Sequence, residues 1–322
     1  MGPEVTKNPY HADAIRGNLT RNLGWCFPEV RDEIEHAFED LLSLEGNEFH
    51  VRPNIMEVIA RTSNRLFTGL TLCRTPEYLD LVILYTITVF MSGQIIGLLP
   101  DSSNHLISWL LDVAEGEERT TPTLALRILA TNAAAIHTSS MALTAALFDL
   151  ANYPEHILPM REEVENIDSF LCESQRLSIG AVVANEGFTF SDGTTIPYGS
   201  FLSVPATPIN YDPDNYKHAA TFDGRFSRMR EQSVCQDDTS EGHHIFNRHM
   251  VSTAPDHVVF GQGHHACPGR FFAATELKAM LPHILLNYDV KAETKGVRPP
   301  DRWFEVVRFP NAWGNIMIWR RP

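Results

Sequence analysis

The sequence predicts a mainly α-helical fold with a small β part toward the C-terminus. Three observations predict it. Apolar residues recur at helical spacing through the first two thirds of the chain. A long segment bracketed by Pro122 and Pro154 is apolar nearly all round, which marks a helix inside a core. After Ser178 the texture turns to β-formers and turn residues.

Each element has its own signal. Pro28 to Leu42 carries Val30, Ile34, Phe38, Leu41 and Leu42 on one stripe, and Pro53 to Phe67 repeats the pattern. Leu81 to Leu99 contains no charged residue and is long enough to cross a bilayer. Ser92, Gln94 and two threonines interrupt it, Gly93 and Gly97 weaken it, and flanking Lys/Arg anchors are absent. It reads as a buried or membrane-touching helix, with a true span as the alternative. Ser108 to Glu115 is a short helix stopped by Gly116. Leu124 to Leu150 is the core helix. Pro154 opens a further helix, and a charged one follows through Arg161 to Glu165 and on to Leu177. Asp192-Gly193, between Phe188 and Ile196, is a hairpin turn flanked by β-formers. Pro197 to Pro205 alternates like a strand, and Pro208 to Met250 reads as an ordered loop region. The last helix is expected from Pro268 to about Asn287, and a final strand from Ala312 to Trp319. With no internal repeat or low-complexity linker, residues 1–322 read as a single domain, helix-rich over 1–177 and β/loop-rich over 178–322.

Composition bounds the function. The 322 residues are 43% hydrophobic and 20% charged, enough for a sizeable core. Forty acidic residues against 26 basic ones give a net charge of −14, which argues against a nucleic-acid partner. The five cysteines are odd in number and scattered, which argues against a disulfide scaffold and for a reducing compartment. Met1 to Lys7 is polar and has no apolar leader stretch. Without such a leader, the Asn18-Leu-Thr20 glycosylation tripeptide carries no weight.

The informative segment is Phe260-Gly-Gln-Gly-His-His-Ala-Cys-Pro-Gly-Arg270. Pro268 suits a first helical position, so Cys267 is expected at the helix start, where the dipole favours a thiolate. Gly261, Gly263 and Gly269 let backbone turn sharply and approach a flat object. An isolated cysteine is more often a buried structural residue. The spacing Phe-x-x-Gly-x-x-x-Cys-x-Gly reverses those odds. A zinc reading of His264, His265 and Cys267 fails, because no second Cys/His pair has the needed spacing.

This segment resembles the haem-ligand loop of the cytochrome P450 family, and Ala254 to Tyr288 closely resembles that of fungal members of the secondary-metabolism type. The resemblance implies a haem b bound through Cys267, with Phe260, Gly261 and Gly263 shaping the loop. Such a thiolate pushes electron density into iron and favours O–O cleavage. Glu173-Ser-Gln-Arg176 matches the family's Glu-x-x-Arg motif, and Arg225 is the candidate third member of that structural trio. Alone, an i,i+3 pair of this kind is usually a surface ion pair worth about 0.2–0.5 kcal/mol. Ala134-Ala-Ile-His-Thr138 is similar to the oxygen-activation motif. There Thr138 is implied to assist proton delivery, and His137 stands where the family has an acid. The plainer alternatives are a threonine bonded to its own i−4 carbonyl and a satisfied core histidine. His265 and Arg16 match propionate-contact positions. For Arg16 the rival reading is a solvated helix face, and His264 is expected at the surface.

The resemblance implies a monooxygenase that takes dioxygen and electrons from an NADPH-cytochrome P450 reductase. Its substrate would be a lipophilic small molecule such as a terpenoid. The expected location is the cytosolic face of the endoplasmic reticulum membrane, with peripheral membrane contact. The chain is short for the family. It begins at the helix carrying Arg16, without the usual anchor, first strands and first helices. Further gaps are expected between Pro100 and Asp101 and after Leu177, where Ser178 to Gly187 is short. A catalytically incomplete remnant or gene fragment is therefore the alternative function.

Overall fold

In the computed structural model, the described residues are 8–41, 48–91, 106–178, 182–184, 188–197, 202–216, 218–224, 249–263, 266–304 and 307–322. In chain order the elements are α1 (Tyr10–Ala14, continued by a π-helical turn Ile15–Leu19), α2 (Thr20–Leu41), β1 (Glu48–His50), α3 (Val51–Phe67), α4 (Leu70–Cys73) and α5 (Pro76–Met91). There follow α6 (Leu106–Val113), α7 (Thr121–Asn152), α8 (Ile157–Glu162), α9 (Val164–Ser178), β2 (Val182–Ala184), β3 (Phe188–Thr189), β4 (Thr195–Ile196) and β5 (Leu202–Val204). The last are α10 (Ala206–Asn210), α11 (Arg270–Asn287), β6 (Tyr288–Ala292), β7 (Arg302–Phe304), β8 (Val307–Phe309) and β9 (Asn315–Arg320). The mainly α fold with a small β part is therefore observed. The chain forms two compact units, residues 1–167 with 268–299 and 312–322, and residues 168–267 with 300–311.

In the first unit α7 is the central helix. Pro122 sits in its first turn, where a missing N–H costs nothing. From Leu124 to Leu150 it is buried along most of its length and packs against α3 and α5. Polar side chains stitch these helices together. Asn64 of α3 donates to Asn132 of α7 at 2.6 Å, and Tyr78 of α5 donates to Asn64 at 2.8 Å. Glu33 of α2, fully buried, accepts from Arg61 of α3 at 2.9 Å and from Arg74 at 2.7 Å. Removing one partner of such a network strands a buried charge. A three-stranded antiparallel sheet, β1-β9-β6, closes this unit. Along β9, Ile316 and Ile318 are buried while their neighbours are not, the period-2 pattern of a one-sided sheet.

Several boundaries differ from expectation for identifiable reasons. The helix expected from Pro28 starts at Thr20 and runs through that proline. The carbonyl of Gly24, left without its i+4 donor, belongs to an exposed residue and can be hydrated. The charged helix expected through Arg161 to Leu177 is broken. Glu163 is extended, with φ −135° and ψ 119°, and Asn166 donates back to the Pro159 carbonyl at 2.8 Å, closing the end of α8. The short helix expected over Ser108 to Glu115 spans Leu106–Val113, and Gly116 follows with φ +55°. The last helix starts at Arg270, not Pro268, because Gly269 is its N-cap residue. The membrane-like stretch Leu81 to Leu99 lies within α5 as far as Met91, with Leu84 and Ile87 exposed; Ser92 to Leu99 and the expected gap at Pro100–Asp101 lie outside the described residues. Among the described residues, the helix long and apolar enough to cross a membrane is α7, and 72% of its apolar window is buried, as a core helix requires.

The second unit carries three antiparallel two-stranded pairs, β2-β5, β3-β4 and β7-β8. The β3-β4 hairpin turns at the expected Asp192-Gly193, where Gly193 has φ +88° and the Asp192 carboxylate accepts from the Thr194 N–H at 2.8 Å. The strand expected over Pro197 to Pro205 is the short β5, and the loop region expected from Pro208 contains α10 at its start.

Candidate functional site

The haem-ligand loop candidate lies in the second unit. The Cys267 N–H donates to the Phe260 carbonyl at 2.8 Å, which closes a loop of backbone around residues 260–267. Gly261 and Gly263 have φ +69° and +66°, in the left-handed region, so two of the three glycines picked out in the sequence are required by the turn, while Gly269 has φ −89°. The Cys267 thiol is half-buried and makes no disulfide. It lies three residues before the first residue of α11, not directly at the helix start as expected. His264 and His265, and with them the propionate expectation for His265, lie outside the described residues.

The same unit holds the Glu-x-x-Arg pair. Glu173 and Arg176 sit one turn apart on α9 and are almost fully buried. Two parallel hydrogen bonds of 2.7 Å each join them, the geometry of a strong charge-assisted pair. The solvated-surface reading of this pair is therefore excluded. Arg176 also donates to the carbonyls of Asn210 and Ala219, and the Asp223 N–H donates to Glu173 at 3.2 Å. Its guanidinium lies over the Tyr216 ring at 4.7 Å. Burial pushes the Glu173 pKa up, against the opposing pull of Arg176 and the Asp223 N–H. Arg225 lies outside the described residues, and Asp223, two residues earlier, marks where that loop meets the pair. Sequence spacing alone did not show the backbone carbonyls that complete the cage.

In the first unit, α7 places the oxygen-activation candidates. In the middle of this otherwise buried helix Ala134 and Thr138 are exposed, and Ala135 is half-buried. Small side chains therefore leave one stretch of the helix open. The Thr138 hydroxyl donates to the Ala134 carbonyl at 2.6 Å, the self-bonded arrangement. His137 is buried, and burial, aided by the Arg52 charge, lowers its pKa to about 4. At neutral pH it is an uncharged imidazole. Arg16, in the π-helical turn, is exposed and pairs with Asp13 at 3.3 Å.

Two buried groups of this unit were missed by sequence reading. Glu276 of α11 is fully buried; Ser63 donates to it at 2.8 Å, and burial raises its pKa to about 8. It shares a stripe with Met280 and Ile284, so a charged residue on an apolar face was the available signal. Arg127 of α7 is fully buried, donates to Glu118 at 3.3 Å, meets His11 at 3.2 Å and covers the Tyr10 ring at 4.5 Å.

The family model of cytochrome P450 matches residues 33–312. The chain belongs to the cytochrome P450 family. Cytochrome P450 monooxygenase 151 of Postia placenta is 34% identical, with 100% of this chain and 77% of that protein covered. Cytochrome P450 monooxygenase esdpI of Penicillium shearii is 31% identical, covering 98% and 73%. Among solved structures, the retinoic acid-bound cyanobacterial CYP120A1 superposes with a TM-score of 0.66 at 18% identity, covering 96% of this chain and 78% of that one, which shows the P450 fold. The chain is thus a P450 monooxygenase by family, and the family implies a haem cofactor, dioxygen, a small-molecule substrate and a redox partner. The match to the Postia protein runs over 393 positions, more than the 322 residues of this P450, so the relative carries internal segments that this chain lacks. The chain's own residues fit the cofactor. A half-buried thiol in a glycine-turned loop is a suitable axial ligand. An open stretch of small side chains on the core helix suits a flat group.

Proposed function

We propose that this P450 hydroxylates a lipophilic small molecule of the terpenoid kind in fungal secondary metabolism, with electrons from NADPH-cytochrome P450 reductase. The observation that carries the proposal is the Cys267 loop, whose closure and glycine turns hold one thiol in place. Cys267 would bind haem b through sulfur. Phe260, Gly261 and Gly263 keep the loop closed, and Arg16 and His265 would contact the propionates. The chemistry a bound haem supplies is activation of dioxygen for insertion of one oxygen atom into a C–H bond. The protein's own residues do the rest. Thr138 would turn its hydroxyl from the Ala134 carbonyl and hold a proton for delivery. His137, a neutral imidazole, would accept a proton at one ring nitrogen as it releases one from the other. Glu173 and Arg176 hold the scaffold of the Cys-bearing unit and do no chemistry.

The lipophilic substrate and a location at the cytosolic face of the endoplasmic reticulum membrane are proposed from membership of the family alone. Exposed Leu84 and Ile87 on α5 support peripheral membrane contact. The internal segments missing against the Postia relative favour a second reading, a family member that has lost catalysis. One experiment separates the two. Haem-reconstituted chain, reductase, NADPH and isotopically heavy dioxygen are incubated with a panel of terpenoids. A product carrying one heavy oxygen atom supports the monooxygenase. No oxygenated product and no haem-dependent NADPH consumption supports the second reading.

A further inference from the structure

Cys172 of α9 lies beside the Glu-x-x-Arg pair and plays no part in it. Its Sγ is 3.7 Å from the Nε2 of His257, within hydrogen-bonding range for sulfur. His257 is held rigidly. Its backbone N–H donates to the Ala254 carbonyl at 3.0 Å, the Ala254 backbone N–H donates to the His257 carbonyl at 3.4 Å, and the Tyr216 hydroxyl donates to the Asp256 carbonyl between them. One turn earlier on α9, the Asp168 carboxylate accepts from the Met250 N–H at 3.2 Å. Asp168 and Cys172 thus tie one face of α9 to the segment that leads into the Cys267 loop. Cys172 is half-buried and His257 is buried, and a thiol within hydrogen-bonding distance of an imidazole is the arrangement of a reactive cysteine.

We propose that Cys172 and His257 form a thiol–imidazole pair in which His257 acts as base, and that this makes Cys172 a site of oxidation by hydrogen peroxide. The imidazole takes the thiol proton. The thiolate sulfur then attacks one peroxide oxygen, an S–O bond forms and the O–O bond breaks. The departing hydroxide takes the imidazolium proton and leaves as water. Sulfur loses two electrons, peroxide gains them, and the product is a sulfenic acid. The added oxygen stands between Cys172 and His257 and loosens that tie of α9 to the 250–257 segment.

The chain supplies its own controls. Cys26 and Cys73 are buried, and burial raises both thiols, Cys73 to about 12. The purified full chain is treated with dilute hydrogen peroxide and a sulfenic-acid trap such as dimedone, and labelling is followed for each cysteine peptide by mass spectrometry. Cys172 is expected to label at least about tenfold faster than Cys26 and Cys73, with a pH midpoint below the free-thiol value of about 8.5. His257→Gln should slow labelling of Cys172 and move its midpoint up to the free-thiol range. Labelling of Cys172 no faster than the two controls, or a wild-type midpoint at or above the free-thiol value, overturns the proposal. So does a folded His257→Gln chain with an unchanged profile. If that variant fails to fold, the wild-type rate and pH profile decide alone.

Discussion

Glu276 holds an ionisable carboxyl with no exposed surface beside Ser63. Its pKa rises from an ordinary 4.5 to about 8 because burial penalises the charged form. Between those values the folded chain keeps a proton that the unfolded chain has lost. The stability this group contributes is therefore complete below pH 4.5 and is lost as pH rises through about 8, by at most about 1.4 kcal/mol per pH unit. Glu276→Gln, neutral at every pH, should flatten the fall of Tm across that window, and an undiminished slope would remove Glu276 as its source. His11 and His137 act in the opposite direction, since burial lowers both to about 4. Their contribution is present above the ordinary value of 6.5 and lost as pH falls below it. Glu173→Ala leaves Arg176 charged and buried, at a cost of about 3–5 kcal/mol. That chain should aggregate or lose haem, whereas normal haem content and Tm would show the pair to be dispensable. Thr138→Ala removes the hydroxyl but no buried contact. Unchanged haem binding with NADPH diverted to peroxide is expected, and an unchanged product yield per NADPH would reduce Thr138 to packing. The reactive candidates among these residues were legible because their spacing is a motif. Glu276 and Arg127 were not, because a single charge within an apolar run shows neither its burial nor its partners.

Helices α2, α3 and α7 meet through polar contacts as well as apolar ones, and this sets how the elements respond to change. Glu33 receives Arg61 and Arg74 from two different elements. Glu33→Ala takes a buried carboxylate from two guanidinium groups, leaving Arg61 with Asp40 at 2.7 Å and Arg74 with Asp32 at 3.6 Å, and should lower stability more than breaking the exposed pair Arg31–Glu35, which should cost about 0.5 kcal/mol or less. Urea midpoints of the two variants make the comparison. The turn before β9 is another tight point. A Cβ at Gly314 would meet the Phe148 ring at 2.7 Å and Pro299 at 2.9 Å. Gly314→Ala should therefore lower stability by about 1–3 kcal/mol, read as a fall in Tm. Helical stripes gave α3 and α7 nearly to the residue, since burial on one face or all round has a period. Breaks such as Glu163 and the run of α2 through Pro28 did not show, because they depend on the Asn166 bond to Pro159 and on hydration at Gly24. Strands β1, β6, β7 and β8 were also unread. They are three to five residues long, too short for alternation to stand out, and β1 and β6 pair with β9, which is distant in sequence.

The whole chain keeps the Cys loop, the Glu-x-x-Arg helix and the core helix, yet lacks internal segments that its Postia relative carries. Apolar surface that such segments cover in the relative would be left wet here, at about 25 cal/mol per Å². Haem retention in the 322-residue chain should therefore be below one per chain and should rise when those segments are restored. Equal, stoichiometric loading of the short and restored chains would show that the segments contribute nothing to the cofactor site. The family was readable because ligand, scaffold pair and core helix each carry a motif. The substrate was not, since no motif encodes the shape of a pocket. The role of Cys267 is most directly tested by the absorption spectrum of the reduced, carbon monoxide-bound protein. The red-shifted band of a thiolate-ligated haem is expected for the haem that binds, and its loss in Cys267→Ser. A Cys267→Ser chain that kept the band would contradict the assignment of Cys267 as the ligand.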